Sequence, residues 1–177
     1  MTKESSNNIS LCNILNIRYP IIMAPMFLIS NADMLIEAIN SGITGCIPAH
    51  NYRTDSEFKD AIEMIRKKVS GPIGVNLIVN KSNVKLKQQL NSCLKLKVDY
   101  IITSLGSPEK IINACKPFGI KVFCDVVDIK YALKVQSLGC DAIIAVNKEA
   151  GGHAGPTPAK KLIPELVAAC SIPVISA

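Results

Sequence analysis

Ile120-Lys121-Val122-Phe123-Cys124-Asp125-Val126-Val127 is apolar almost throughout, and after a helical stretch ending at Gly139 comes a second such run, Ala142-Ile143-Ile144-Ala145-Val146. A strand that is apolar on both faces must be covered on both faces. A parallel sheet flanked by helices meets that need. Similar runs recur outward along the chain at 21–24, 43–47, 73–79, 100–103 and 173–177, giving seven predicted strands. The segments between them have helical spacing and start signals. Ser30-x-x-Asp33 and Thr54-x-x-Glu57 read as capping boxes, and Ser107-Pro108-Glu109 as an N-cap followed by proline. Gly42, Gly71-Pro72, Gly119 and Gly139 mark expected helix ends.

Strict alternation of strand and helix predicts an α/β fold. Seven strands in that order fit a (β/α)8 TIM-type barrel, cut off after about seven strands, better than an open doubly wound sheet. The pattern alone accommodates either. Residues 1–177 are expected to form a single, incomplete TIM-barrel domain, with about 1–16 as an N-terminal lead-in. Both architectures put chemistry in the loops after the carboxyl ends of the strands. Both histidines, His50 and His153, fall in those loops.

Composition narrows the class further. Apolar residues make up 49% and charged residues 19%, a globular balance. The opening Met1-Thr2-Lys3-Glu4-Ser5-Ser6-Asn7-Asn8 has no apolar core and is not read as a secretory signal. The longest apolar stretch, 19–29, is interrupted by Pro20 and Pro25 and is too short to span a bilayer. A cytoplasmic protein without membrane attachment is expected. Seven scattered cysteines with no C-x-x-C pair argue for reduced, buried thiols and against a disulfide framework or a metal site. The net charge of +6 comes almost wholly from lysine, because arginine occurs only as Arg18, Arg53 and Arg66. With 5% aromatics and no tryptophan, no nucleic-acid surface is expected, and solvated helix faces account for the charge.

Among the strand-end loops, Glu149-Ala150-Gly151-Gly152-His153-Ala154-Gly155-Pro156 stands out. Glycines let the backbone approach a bound ring, and neutral imidazole takes up a proton near pH 7. The residues alone fit equally well with a flexible loop bearing a solvated histidine. Lesser candidates are His50, Tyr52, Arg53, Asp125 and Lys148. Asp125 could orient a substrate, or more ordinarily cap the helix that begins at Ile129. Asn147 has only its position in favour of it.

Ala24-Pro25-Met26 after the first strand, Val75-Asn76-Leu77 in the third and Glu149-Ala150-Gly151-Gly152-His153 after the sixth together resemble the nitronate monooxygenase family, formerly called 2-nitropropane dioxygenases. Ile102-Thr103-Ser104-Leu105-Gly106 and Ile172-Pro173-Val174-Ile175-Ser176-Ala177 extend the resemblance. It implies an FMN-dependent TIM-barrel oxidoreductase acting on a small molecule, an alkyl nitronate, with molecular oxygen. By position, Ala24, Pro25 and Met26 would pack on the flavin ring, and Asn76 would hydrogen-bond it. Gly151 and Gly152 would approach the cofactor by their main chain, and His153 would be the general base. Related enzymes in the wider group are enoyl-acyl-carrier-protein reductases using NAD(P)H and FMN. A non-catalytic remnant of such a barrel is the alternative from another class, and a different phosphate-binding barrel is a third. Two departures stand out. Val146-Asn147 replaces a Gln-Gly pair found in many members, and the sequence stops at Ala177 where members continue with a glycine pair. On that reading strand eight and the phosphate loops after strands seven and eight are missing.

Overall fold

The computed structural model describes residues 10–177, so most of the expected lead-in, residues 1–9, lies outside the described residues. The lead-in ends in a short helix, α1 (Leu11–Leu15), capped by the Ser10 side chain and stopped at left-handed Asn16. Seven β–α repeats follow, the last ending on its strand. They are β1 (Ile22–Met23), α2 (Ala32–Asn40), β2 (Thr44–Pro48), α3 (Asp55–Lys68), β3 (Ile73–Ile78), α4 (Leu86–Lys95) and β4 (Tyr100–Ser104). The rest are α5 (Glu109–Cys115), β5 (Lys121–Val126), α6 (Ile129–Ser137), β6 (Ala142–Ala145), α7 (Ala159–Ala169) and β7 (Val174–Ser176).

All seven expected strands form, each within a few residues of its sequence reading. They pair in parallel in the order β1-β2-β3-β4-β5-β6-β7. That order separates the two architectures left open above. A doubly wound sheet reverses its strand order at a switch point, whereas here each strand pairs with the next. The sheet is a curled part-barrel. Helix signals are displaced in three places. Thr54 and Glu57 make the complete capping box of α3. For α2, however, Asn31 rather than Ser30 is the cap, accepting from the Met34 N–H. Pro108 rather than Ser107 precedes α5, and α3 ends at extended Val69, without a left-handed glycine.

Side chains divide between the two faces of the sheet. The convex face carries the main core, including Ile47, Ile73, Val75, Leu77, Ile101, Val122 and Ile143, against the helices. Alternate residues face the concave side, where α1 closes the amino end. There Leu11 and Leu15 pack with Cys46, Tyr100, Ile102, Phe123, Ala142 and Ile144. Each cysteine is a free thiol, and five of the seven are buried. Among the described residues, no helix is long and apolar enough to cross a membrane.

The amino end of the concave face is organised by one aromatic ring. Tyr100 is fully buried and stacks on Phe123 of the next strand, with ring centroids 5.1 Å apart. Its register partner on β3 is Gly74. A Cβ there would come within 2.2 Å of Tyr100 Cζ, so the ring lies directly over the glycine backbone. The hydroxyl thus reaches past β3 to β2, donating to the Gly45 carbonyl at 2.8 Å and lying 3.3 Å from Thr44 Oγ1. Thr44 Oγ1 itself donates to the Pro72 carbonyl at 2.7 Å. One side chain so bridges three strands. Gly74→Ala should displace the ring and destabilise the fold by about 1–3 kcal/mol, as overpacking does. Tyr100→Phe should lose about 1 kcal/mol with the hydroxyl's bonds. Urea denaturation checks both, and each variant should lower the midpoint without changing the slope.

Candidate functional site

Above this apolar plug, the concave face turns polar at the carboxyl ends of β3, β4 and β5. Side chains two apart on a strand share a face, so the face that holds Gly74, Tyr100 and Phe123 continues to Asn76, Ser104 and Asp125. Asn76 donates both amide hydrogens inward, to the Ile102 carbonyl at 3.1 Å and to Ser104 Oγ at 2.9 Å. The Ser104 hydroxyl in turn donates to Asp125 Oδ2 at 2.5 Å. Burial pushes the Asp125 carboxyl up to about 6, against the opposing pull of the Ser104 hydrogen bond. Helix capping, the ordinary role open to Asp125 in the sequence, falls instead to Asp128, whose carboxylate accepts from the Tyr131 N–H at 2.7 Å.

The segment carrying Ala24, Pro25 and Met26 leaves β1 and is held by two polar side chains. Buried Ser30 donates to the Ala24 carbonyl at 2.7 Å and accepts from the Met26 N–H at 2.9 Å. Asn51 donates to the Ser30 carbonyl and accepts from the Leu28 N–H, both at 2.8 Å. Leu28 takes a left-handed φ of 61° in this turn. Its neighbours stay solvent-facing. Ala24 and Met26 are exposed, Pro25 is half-buried, and Phe27, Leu28 and Ile29 are 62%, 72% and 58% exposed. The turn is thus fixed while its apolar side chains are presented outward.

The Gly-rich loop after β6 is similarly clipped at its base. Asn147 is buried. It donates to the Ala177 carbonyl at 2.5 Å, accepts from the Glu149 N–H at 2.8 Å and receives the Gly155 N–H on its own carbonyl at 3.0 Å. Lys148 N–H donates to the Thr157 carbonyl at 2.8 Å, and the Glu149 carboxylate accepts from the first N–H of α7 at 2.8 Å. Gly155 is required at the loop's return, since a Cβ would lie 2.2 Å from the Val146 carbonyl oxygen. Gly151, Gly152 and His153 sit exposed on the far part of the loop, with open space around both glycines.

The remaining candidates lie apart from this mouth or offer it little. His50 and Lys148 are exposed. Tyr52 and Arg53 line a separate cleft against α3 and α4, where Lys85 donates to the Arg53 carbonyl at 2.7 Å. Burial raises the Tyr52 phenol above its ordinary range. A cavity of about 240 Å³ opens at the opposite, amino end, lined by Ile14, Leu15, Lys97, Asp99, Phe118 and Lys121. None of the motif residues reaches it. The motif residues all sit at the carboxyl end, so that end, an open concavity, is the candidate site. Among the described residues, no group of three or more His, Cys, Asp or Glu is placed to hold a metal ion.

Comparison with known proteins adds a second line of observation. The family model described as nitronate monooxygenase matches residues 79–177. The chain belongs to the nitronate monooxygenase family. It is 27% identical to a probable nitronate monooxygenase of Staphylococcus aureus (strain Newman), covering 97% of this chain and 60% of that protein. It is 26% identical to (3aS,4S,5R,7aS)-5-hydroxy-7a-methyl-1-oxo-octahydro-1H-indene-4-carboxyl-CoA dehydrogenase of Rhodococcus jostii (strain RHA1), covering 95% of this chain and 47% of that one. Among solved structures, FabK from Thermotoga maritima superposes with a TM-score of 0.87 at 28% identity, over 94% of this chain and 52% of FabK. Nitroalkane oxidase from Streptomyces ansochromogenes shares the fold with a TM-score of 0.84 at 20% identity, over 94% of this chain and 60% of its own. The chain thus spans about half to three-fifths of the length of these relatives.

The polar layer at the mouth has a measurable electrostatic signature. Asp125 binds its proton more tightly in the fold than in an unfolded chain, so its contribution to stability is full below the ordinary carboxyl range and is lost as pH rises through about 6. Asp125→Asn removes that titration. The stability of the variant relative to the parent should therefore rise by about 3 kcal/mol at most between pH 4 and pH 7, with paired denaturation curves as the measurement.

Proposed function

We propose that this chain supplies the flavin-facing part of an FMN-dependent oxidoreductase that oxidises alkyl nitronates with molecular oxygen. The observation that carries the reading is placement. Ala24-Pro25-Met26 follows β1, Asn76 lies in the carboxyl half of β3 and the Gly151-Gly152-His153 loop follows β6, so all three gather toward the carboxyl end of one curled parallel sheet. Active sites of such barrels are built at that end.

The residues present fit the ring of a flavin. Asn76 spends both its N–H groups inside the sheet, which leaves its carbonyl oxygen as an acceptor for a ring N–H. The exposed turn at Ala24 and Met26 offers a fixed, mostly apolar surface for a planar ring, and no side chain crowds the backbone at Gly151 and Gly152. When bound, FMN would take up the electrons removed from the substrate and pass them to oxygen. His153, exposed on the Gly-rich loop, is the candidate base for removing the α-proton of a neutral nitroalkane. Asn147 and Glu149 hold the base of that loop and so position His153 without contacting substrate. The setting proposed for this chemistry is the cytoplasm, in keeping with scattered cysteines of which five are buried as small apolar side chains.

A second reading, a thioester substrate of the kind handled by an enoyl-acyl-carrier-protein reductase, draws on two observations. A relative is named for a carboxyl-CoA substrate, and the turn Phe27-Leu28-Ile29 offers an exposed apolar surface beside the mouth.

Titration of FMN with the protein, followed by quenching of flavin fluorescence, should saturate at one flavin per chain, and Asn76→Ala should weaken that binding by about tenfold. A protein that leaves FMN fluorescence unchanged would remove the flavin reading. With flavin bound, oxygen consumption should separate the substrates. His153→Ala should slow turnover of a neutral nitroalkane by about 10²–10⁴ while a preformed nitronate, already deprotonated, loses far less. Equal losses on both would make His153 a binding residue. NADH-driven turnover of an enoyl thioester, with no turnover of nitronates, would favour the second reading.

A further inference from the structure

The hydrogen bonds linking Asn76, Ser104 and Asp125 have one consistent direction, and it is set from the Asp125 end. Ser104 has a single hydroxyl proton, which goes to Asp125 Oδ2 at 2.5 Å. Its oxygen is then available only as an acceptor, and it takes one N–H of Asn76 at 2.9 Å. The other Asn76 N–H goes to the Ile102 carbonyl at 3.1 Å. Among the described residues, no donor is placed on Asn76 Oδ1. A hydroxyl that lacked a carboxylate partner would be free to rotate and donate elsewhere, and the amide would lose one of its two restraints. A carboxylate accepts a hydroxyl proton more strongly than any neutral group in its place.

We propose that Asp125 is a positioning residue that acts through the Ser104 hydroxyl to hold the Asn76 amide with both N–H groups turned into the sheet, leaving Oδ1 at the mouth as an acceptor for an N–H-bearing ring. That the ring is a flavin rests on the function proposed above; the relay does not. The surroundings of Asp125 favour control by its own charge. Half-buried on β5, it makes no ion pair among the described residues. The titratable groups near enough to feel it are the thiols of Cys46 on β2 and Cys124 on its own strand, and the Tyr131 phenol on α6. Burial raises Cys46 and Tyr131 above their ordinary ranges, so neither changes charge where Asp125 titrates, near pH 6. The pull of its hydrogen-bond partners lowers Cys124, against burial and the Asp125 charge.

The test is a pH titration of the Asn76 side-chain amide by two-dimensional ¹H–¹⁵N NMR on the protein without flavin. The Asn76 N–H resonances should move with a midpoint near pH 6 in the parent chain. They should stay flat in Ser104→Ala, in which Asp125 keeps its carboxyl, and should move again in Ser104→Thr, which restores a hydroxyl. Backbone amide spectra recorded on the same samples show whether each variant retains its fold. If Ser104→Ala does not, the comparison of Ser104→Thr with Asp125→Asn carries the test, the first titrating and the second flat. Asn76 resonances that ignore pH in the parent, or that titrate equally in Ser104→Ala, would overturn the relay. Added FMN forms a separate arm. Its affinity should fall about five- to tenfold from pH 8 to pH 5 in the parent, and should be low and pH-independent in Asp125→Asn. Uptake of FMN with no such pH dependence would also overturn the proposal. A chain whose Asn76 titrates through Ser104 but which takes up no FMN would leave the relay standing and remove the flavin reading.

Discussion

The ring of Tyr100 lying over Gly74 is the contact on which the concave face depends. A parallel sheet curls only if its inner face can fill the shrinking space between strands, and here one aromatic side chain fills the width of three. The glycine removes the side chain that would have kept the ring off β3, and the hydroxyl ties the far edge of the ring to β2. Phe123 continues the layer onto β5, and Leu11 and Leu15 of α1 seal it from below. This floor fills the amino half of the concavity with apolar side chains, and the polar side chains of the inner face gather above it toward the carboxyl end.

The polar layer follows directly from that floor. Side chains alternate along a strand, so the next inward positions above Gly74, Tyr100 and Phe123 are those occupied by Asn76, Ile102 with Ser104 beyond it, and Asp125. Asn76 and Asp125 sit one layer above the apolar plug, where burial with no cationic partner among the described residues holds the Asp125 carboxyl above its ordinary range. The loops supply the rest of the site by a different principle. Each is fixed at its base by a buried polar residue, Ser30 for the turn after β1 and Asn147 for the loop after β6, and each leaves its outer residues free of intramolecular work.

Much of this was legible in the sequence, and the parts that were not share a cause. Strand positions such as 100–103 and 142–146 could be read because doubly buried strands must be apolar, and the motif residues Ala24, Asn76 and Gly151 could be placed at or near the ends of those strands. The choice between a curled and an open sheet could not be read, because periodicity says how a strand is covered and not which strand lies beside it. Asn147 was passed over, although its amide organises the Gly-rich loop, because its partners at Glu149, Gly155 and Ala177 include one thirty residues away. For Asp125 the sequence leaves a substrate-orienting role open but favours a helix cap, because an Asp shortly before a helix commonly caps it. The parity of β5 distinguishes them. Asp125 shares the inward face with Phe123, while Asp128 has already left the strand.

The nearest-neighbour strand order also bears on how such a chain acquires its structure. Every pairing in the sheet closes a single β–α–β span, and none waits for a distant segment to arrive. Loop-closure entropy therefore stays modest at each step, and assembly can spread outward from an early nucleus as a zipper does. The long, largely buried registers β3–β4 and β4–β5, stapled by Tyr100, are the natural place for that nucleus. The two-residue β1 contributes the fewest ladder bonds to the sheet, so local opening costs least there and most in the centre.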